Sequence, residues 1–158
     1  MLPGSALHLH HVGYVVKTID PIVKSYVDRY GYEVSTPVIH DPLQTAFVQF
    51  LKLAGDQTFL EFVSPDSPES KLVSASKRGG LNHLCFTADN LEQTIVQLEE
   101  SGMRLISEPK PGRAFGGRRI CWLVGEDPLP IELVEKLSEN DLCVPLAPVD
   151  HEVNSSES

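Results

Sequence analysis

The sequence predicts an α+β domain of two β-α-β-β-β modules that together form an open, barrel-like sheet around a cavity. The first observation is a pattern that occurs twice: a histidine opens an apolar strand, and an amphipathic helix with an acidic start follows. These histidines are His11 and His83. The second observation is a glutamate inside an apolar strand near the end of each half. Glu61 lies 50 residues after His11, and Glu132 lies 49 residues after His83, so the two halves match in spacing as well as in order.

The first module covers residues 8–64 and begins with the apolar strand "HVGYVV". A helix is predicted next because apolar side chains recur at helical spacing, with Pro21 near the helix start and Gly31 near its end. The apolar side chains are those of Ile22, Val23, Tyr26, Val27 and Tyr30. The segments "TAFVQFLKL" and "TFLEFV", separated by the turn "GDQ", then predict two strands.

The second module covers residues 81–136 and repeats this order after a linker at residues 65–80, which is rich in proline, serine and charge. "LNHLCFTAD" predicts a strand and "NLEQTIVQLEESG" predicts a helix. "RRICWLV" and "PIELVEK" predict two further strands. Beyond them the sequence becomes polar, and residues 137–158 are expected to form a flexible tail.

Composition narrows the classes of function. A chain of 158 residues that is 41% hydrophobic is long enough for one well-buried domain, and its net charge of -9 disfavours binding to nucleic acid or to an anionic membrane. No apolar run approaches the ~20 residues that span a bilayer. The N-terminus has no secretory pattern, and the three cysteines form no close pair, so a cytoplasmic protein with reduced thiols is expected.

A histidine and a glutamate in each half predict a metal site. Taken alone, a histidine at a strand end is more often a hydrogen-bonded structural residue, and a glutamate in a strand more often reaches water at an edge. A carboxylate inside an apolar strand, however, costs several kcal/mol of desolvation unless it is paired or bound to a cation. If the two modules close around one cavity, all four side chains can converge there. Two neutral imidazoles and two carboxylates suit a divalent transition metal, whose charge the carboxylates balance.

Five segments, in their order and spacing, resemble the vicinal oxygen chelate superfamily, which includes glyoxalases, bleomycin resistance proteins and dioxygenases. The resemblance covers about residues 8–136. The segments are "HHVGYVV", "LEFVSP", "GGLNHLCFTADNLEQTI", "SEPKPGRAFGGRRICWL" and "IELVEK". Within the superfamily, the chain looks most like the methylmalonyl-CoA epimerases and their relatives.

The resemblance implies that His11, Glu61, His83 and Glu132 ligate one divalent cation, which would be Co²⁺, Zn²⁺, Ni²⁺ or Mn²⁺. It assigns His10 to structure, since the ligand in such proteins immediately precedes the apolar dipeptide before the strand. Replacement of His10 by alanine is therefore expected to leave metal content nearly intact. The resemblance also favours a homodimer.

The activity that the resemblance implies is epimerisation of an acyl-CoA or a similar thioester through a metal-stabilised enolate. An epimerase needs a proton-transfer group on each face of the enolate, and Glu132 is expected to serve one face. Asp41 is the acid available for the other face, although "HDPLQ" equally predicts a turn that Asp41 caps before Pro42. Gln44 is expected to lie near the substrate. Asn82 departs from the double histidine that the epimerases often have at that place.

A basic, glycine-rich segment, "KPGRAFGGRR", is the candidate binding site for a small anionic substrate. Its glycines allow close approach to a ligand, and guanidinium groups suit carboxylates and phosphates. Arg113, Arg118 and Arg119 are therefore expected to bind a CoA phosphate or the carboxylate of an acyl group. The alternative is a solvated hairpin with ordinary surface charges.

Two other functions stay open beside the epimerase. A lyase of the glyoxalase I type, acting on a glutathione hemithioacetal, uses a similar set of two histidines and two glutamates. A non-catalytic relative that binds a small molecule would keep the fold and not necessarily the metal. A ring-cleaving dioxygenase is disfavoured because its iron uses two histidines and one glutamate, and Glu61 would occupy a position that substrate or O₂ needs.

Overall fold

The computed structural model describes residues 7–149, which contain nine strands and three helices. The first module consists of β1 (His8–Val15), α1 (Ile19–Tyr30), β2 (Glu33–Val34), β3 (Ile39–Asp41), β4 (Ala46–Lys52) and β5 (Phe59–Pro65). A short helix, α2 (Val73–Arg78), follows in the connection. The second module consists of β6 (Gly80–Ala88), α3 (Leu91–Glu100), β7 (Arg104–Pro111), β8 (Arg119–Val124) and β9 (Ile131–Glu135).

The strands form one sheet with the order β2-β4-β5-β1-β6-β9-β8-β7, and β3 also pairs with β4. The central strands β1 and β6 run antiparallel, whereas β1 pairs with β5, and β6 with β9, in parallel. Antiparallel strands β4 and β8 come next on the two sides. The halves therefore repeat one strand order about the β1–β6 pair, which confirms the predicted α+β fold of two β-α-β-β-β modules.

Helices α1 and α3 cover one face of the sheet and leave the other face to the site. Val23 of α1 packs in a buried cluster with Phe62 of β5, and Ile95 of α3 packs in a second cluster with Leu133 of β9. Successive side chains in a strand point to opposite faces. Glu61, next to Phe62 in β5, therefore faces away from α1, toward the central cluster of buried side chains.

Three local features differ from the sequence prediction. The linker at residues 65–80 contains the helix α2, which its polar composition hides. Residues 104–111 form β7, an eight-residue strand where no strand was predicted, because alternating polar residues face solvent along this sheet edge. Two short strands, β2 and β3, follow α1 where the sequence predicts none, and Pro37 lies between them, since proline cannot donate a hydrogen bond to a neighbouring strand.

The C-terminal segment, residues 137–149, packs against the sheet, although its composition predicts a flexible tail. The Cys143 side chain is fully buried in the central cluster. Asp141 accepts two hydrogen bonds from Arg118, at 2.7 and 2.9 Å. One buried side chain and one ion pair therefore order a segment that periodicity alone assigns to solvent. The rest of the predicted tail, residues 150–158, lies outside the described residues.

Within residues 7–149, none of the helices combines the length and apolar character needed to cross a membrane.

Candidate metal centre

The four central strands bring the predicted metal ligands to one place. Gly13 of β1 lies opposite both Glu61 of β5 and His83 of β6. Glu132 of β9 lies opposite Cys85, two residues after His83 in β6. Side chains two residues apart in a strand share a face. Register alone therefore gathers one glutamate from each parallel pair and one histidine from each central strand.

Four ligand atoms meet in this cluster. Nε2 of His11 lies 3.0 Å from Nε2 of His83 and 3.2 Å from Oε1 of both Glu61 and Glu132. Nε2 of His83 lies 3.1 Å from Oε1 of Glu61 and 3.5 Å from Oε1 of Glu132. All four residues are buried, and the His11 side chain has no exposed surface.

These separations fit the donor atoms of a single cation. With bonds of about 2.1 Å, neighbouring donors lie about 3.0 Å apart in an octahedral shell and about 3.4 Å apart in a tetrahedral one. The measured range is 3.0 to 3.5 Å. The ligand atoms of His11, His83 and Glu132 all lie within 4.8 Å of one another. The donor set, two imidazoles and two carboxylates, is one that divalent transition metals accept.

The two buried carboxylates of the cluster need positive charge beside them. Burial by itself lowers the pKa of His83, but its contacts with Glu132 and Glu61 outweigh burial and raise this pKa to about 9. Burial is likewise outweighed at both glutamates, where the two imidazoles hold each carboxyl pKa below its ordinary value. Among the described residues, no lysine or arginine contacts either glutamate. Protonated imidazoles supply the positive charge here, and a divalent cation could supply it in their place.

Gly13 leaves the space that the His83 ring occupies. A β-carbon at this position would lie 2.1 Å from Cε1 and 2.3 Å from Nδ1 of His83. The ring therefore rests on the backbone of β1, and any side chain at Gly13 would displace it. Gly13 is not among the residues that the sequence predicts for the site, and its place two residues after His11 on the same strand face is the signal that could have identified it.

Each ligand histidine is backed by the residue that precedes it in the chain. Nδ1 of His10 lies 2.7 Å from Nδ1 of His11, and Nε2 of His10 lies 2.8 Å from the main-chain oxygen of Cys143. Burial and the neighbouring His11 lower the pKa of His10 to about 4, so its ring is neutral. Nδ1 of His83 lies 2.7 Å from the side-chain oxygen of Asn82. Neither backing residue was predicted to contact a ligand.

The cluster lies at the base of a cavity that opens to a larger groove. The inner cavity has a volume of about 80 Å³ and is lined by Glu61, His83 and Glu132 together with Asn82 and Trp122. The outer groove has a volume of about 1130 Å³. Its walls come from both modules and from the C-terminal residues 146–149. A ligand in the groove could therefore place one end beside the four predicted ligands.

The structure brings Asp41 and Gln44 to this cavity. Both residues line the inner cavity and the outer groove. The main-chain N–H of Gln44 donates to the Asp41 carboxylate at 3.3 Å, as in the predicted turn. Burial, together with the charges of Glu132 and Glu61, raises the pKa of Asp41 despite this hydrogen bond. A half-buried carboxyl with a raised pKa is suited to accept and return a proton.

The three arginines of the basic segment are in different environments. Arg113 lines both cavities, and its Nε donates to the main-chain oxygen of His40 at 3.0 Å. In contrast, Arg118 binds Asp141, and Arg119 binds Glu135 and Glu92. Neither Arg118 nor Arg119 lines the inner cavity or the outer groove, because acidic side chains from other elements hold their guanidinium groups. Of the three predicted arginines, Arg113 is the one that lines these two cavities.

Residues 10–122 match the family described as the Glyoxalase/Bleomycin resistance protein/Dioxygenase superfamily. An uncharacterized Bacillus subtilis protein, YwkD, is 27% identical over 128 residues, which cover 81% of this chain and 96% of that protein. The mitochondrial methylmalonyl-CoA epimerase of Bos taurus is 30% identical over 111 residues, or 68% of this chain. This chain spans 62% of the bovine protein's length.

Among solved structures, a Streptomyces coelicolor methylmalonyl-CoA epimerase variant in complex with 2-nitronate-propionyl-CoA has the same fold, with a TM-score of 0.70. The match covers 82% of this chain and 97% of the other, at 22% sequence identity.

Proposed function

Because this chain belongs to the glyoxalase/bleomycin resistance protein/dioxygenase superfamily, we propose that it is a metal-dependent epimerase of an acyl-CoA or a similar thioester. The observation that carries the proposal is the convergence of His11, Glu61, His83 and Glu132 at the base of a cavity that Asp41 also lines. Similarity to methylmalonyl-CoA epimerases supports the choice of reaction.

The four ligating residues would hold one divalent cation, since their donor atoms have suitable spacing, burial and charge. A bound cation would supply Lewis-acid stabilisation of the negative charge that develops on the thioester oxygen. His11 and His83 would present their Nε2 atoms to it. Apolar side chains, among them Val48, Val63 and Phe115, line much of the inner cavity and would strengthen these electrostatic interactions.

Two carboxylates would exchange the α-proton of the substrate. Glu132 would serve one face of the α-carbon from its place at the base of the cavity. Asp41 would serve the opposite face, and its raised pKa brings the protonated and ionised forms closer in free energy at neutral pH. One carboxylate, in its ionised form, would take the α-proton from one face, and the other, in its protonated form, would give its own proton to the opposite face. The carbon is thereby inverted, and the two groups together hold the same number of protons as before.

The outer groove would hold the remainder of the substrate. Lys71, Lys110 and Arg113 line it, so three cationic side chains border the groove of a chain whose net charge is -9. Guanidinium groups bind carboxylates and phosphates in a bidentate manner. Arg113 would bind an acyl carboxylate or a CoA phosphate, and Gln44 would contribute amide hydrogen bonds. The acyl-CoA analogue bound to the Streptomyces coelicolor neighbour supports a ligand of this class.

The test is α-proton exchange in D₂O with each epimer of methylmalonyl-CoA, after the protein is loaded with Co²⁺. The native protein is expected to incorporate deuterium at the α-carbon and to interconvert the epimers. Asp41→Asn is expected to reduce interconversion by ~10² to 10⁴-fold, the usual contribution of a general acid or base. It should still exchange the α-proton of the one epimer whose proton faces Glu132.

Asp56→Asn, in the exposed turn between β4 and β5, is the matched control and should behave as the native protein. The hemithioacetal of methylglyoxal and glutathione is the second substrate. Turnover of this compound alone would replace the epimerase proposal with a glyoxalase I activity. Exchange of neither substrate by the metal-loaded protein would overturn both.

A further inference from the structure

His10 has both ring nitrogens engaged, although it is not one of the predicted metal ligands. Its side chain lies deep in the structure, with 3% of the residue exposed. Nδ1 faces Nδ1 of His11 at 2.7 Å, and Nε2 faces the main-chain oxygen of Cys143 at 2.8 Å. The ring stacks on Phe59 with a centroid distance of 5.2 Å. These contacts fix its orientation.

The two hydrogen bonds determine where the protons lie. A carbonyl oxygen only accepts, so the proton of the neutral His10 ring is on Nε2, which donates to Cys143. Nδ1 of His10 therefore carries a lone pair and accepts from His11. The proton of a neutral His11 ring is then on Nδ1, and its lone pair is on Nε2. Nε2 is the atom that lies 3.2 Å from Glu61 and Glu132.

In the second module, an asparagine side chain takes the place that His10 has in the first and fixes the tautomer of His83. The Asn82 oxygen accepts from Nδ1 of His83, which leaves the lone pair of His83 on Nε2. A hydrogen-bond acceptor thus precedes each ligand histidine in the chain. A metal-ligating histidine usually needs such a partner, because the partner fixes both the tautomer and the ring orientation.

The Cys143 oxygen is itself held in place by the C-terminal segment. Asp141 accepts hydrogen bonds from the main-chain N–H of Cys143 at 2.9 Å and from Nε and Nη2 of Arg118. The N–H of Leu146 donates to the main-chain oxygen of Ala114 at 2.8 Å. Cys143 has a φ of 51°, a left-handed conformation that a residue with a side chain adopts only when its surroundings impose it. The C-terminal segment therefore holds the Cys143 carbonyl in position to accept a hydrogen bond from the His10 ring.

We propose that His10 is a positioning residue which, oriented by the Cys143 carbonyl, fixes His11 in the tautomer that presents Nε2 to a divalent cation. The C-terminal segment thereby sets the metal affinity of the first module. This inference rests on the metal site of the proposed function but not on the identity of the substrate. It also changes the sequence expectation that removal of His10 leaves metal content nearly intact.

The first measurement is the tautomer of each histidine in the metal-free native protein, read from long-range ¹H–¹⁵N NMR spectra. At a pH at which the ¹⁵N shifts show both rings to be neutral, His10 is expected as the Nε2–H form and His11 as the Nδ1–H form. An Nε2–H form of His11 under these conditions would overturn the proposal. The measurement needs no variant, so a folding defect cannot obscure it.

The second measurement is the dissociation constant for Co²⁺, determined by competition with a chelator, together with the visible spectrum of the Co²⁺-loaded protein. His10→Ala is expected to weaken binding by ~10 to 100-fold, the usual effect of losing such a partner. His10→Asn should largely restore affinity, because the asparagine oxygen can take the position of Nδ1, as Asn82 does for His83. Equal affinity of His10→Ala and the native protein would overturn the proposal.

The third measurement tests the contribution of the C-terminal segment to Co²⁺ affinity while His10 is left unchanged. Asp141→Asn loosens the contact with Arg118 and is expected to weaken Co²⁺ binding by several-fold, whereas Glu139→Gln, at an exposed position of the same segment, should not. An unchanged Co²⁺ affinity in folded Asp141→Asn would overturn the role of the segment. If the native protein itself binds no Co²⁺, Ni²⁺ or Zn²⁺, the metal site fails, and that result is distinct from all of these.

Discussion

The two modules present the same ligand atoms but support them in different ways. In the first module, His11 has no exposed surface, and the chain of contacts behind it runs inward through His10 to Cys143. In the second module, His83 is backed by Asn82, which lines the cavity. The two modules therefore present the same atoms of the predicted ligands, Nε2 of a histidine and Oε1 of a glutamate, but differ in the side chains that contact these histidines from behind. The residue behind His11 is therefore held by the protein interior, whereas the residue behind His83 lies on the cavity wall, where a substrate would bind.

The largest expected effect tests what the modules share. His11→Ala and His83→Ala should each weaken Co²⁺ binding by more than ~100-fold, beyond the cost of losing only a supporting partner. Each removes one of four donor atoms and leaves two buried carboxylates with less positive charge between them. Metal content per chain after purification without a chelator checks the prediction. Stoichiometric metal in either variant would exclude that histidine as a ligand.

The next comparison separates the two glutamates. Glu61→Gln and Glu132→Gln are both expected to weaken metal binding, but only Glu132→Gln should reduce epimerisation by ~10² to 10⁴-fold once metal is saturating. The reason is the proton-transfer role proposed for Glu132 alone. Turnover at increasing Co²⁺ concentration distinguishes the two effects. Recovery of Glu132→Gln to the level of Glu61→Gln would leave Glu132 as a ligand only.

A smaller effect on metal binding is expected from a change at Gly13. The two modules differ here, because the residue two places after the histidine is Gly13 in the first module and Cys85 in the second. Gly13→Ala would put a β-carbon 2.1 Å from the His83 ring, so the ring must move away. We expect ~10 to 100-fold weaker Co²⁺ binding, by analogy with the loss of an orienting contact. Gly125→Ala is the control, because the nearest atom there is at 3.4 Å and belongs to the flexible Met103 side chain.

The smallest expected effect is on the free energy of unfolding and its dependence on pH. It concerns the C-terminal segment, which supports His11 of the first module through His10. Hydrogen bonds from Arg118 lower the pKa of Asp141 below its ordinary value of 3.8. A carboxyl group whose pKa is lower in the folded state stabilises the fold fully at pH values above its unfolded-state pKa. This contribution is lost as the pH falls through the folded-state pKa. The native protein should thus exceed Asp141→Asn in stability by about 1 kcal/mol at pH 7, with a difference that shrinks below about pH 4.

Thermal unfolding of both proteins between pH 7 and pH 3 measures this difference. A gap that stays constant with pH would show that the Asp141 charge is not what holds the segment.

Much of the fold could be predicted because its signals are local. Alternating apolar residues identify β1, β5 and β6, and helical spacing identifies α1 and α3. The short α2 and the edge strand β7 were missed, since polar residues are frequent in these segments. The packing of residues 137–149 was missed because it depends on contacts of Cys143 and Asp141 with distant elements. The homodimer and the cytoplasmic location expected from the sequence stay predictions.

The arginines illustrate what local sequence leaves open. Arg113, Arg118 and Arg119 lie within seven residues of one basic segment, and their side chains have the same chemistry. Only Arg113 reaches the cavity, because Asp141 binds Arg118 and Glu135 binds Arg119. Those carboxylates come from β9 and the segment after it. No property of the basic segment itself indicates which guanidinium group they neutralise.

The sequence by itself determined the repeated module and the residue types that could bind a metal. Periodicity of apolar residues is a local consequence of strand and helix geometry, and a carboxylate inside an apolar strand at the same place in each repeat needs a positively charged partner. Only the tertiary structure decided which atom of each histidine faces the centre. His10 and Cys143 are 133 residues apart in the chain, yet their contact fixes the tautomer of His11. A hydrogen bond acts over about 3 Å and depends on direction, so its partner is set by packing between distant segments.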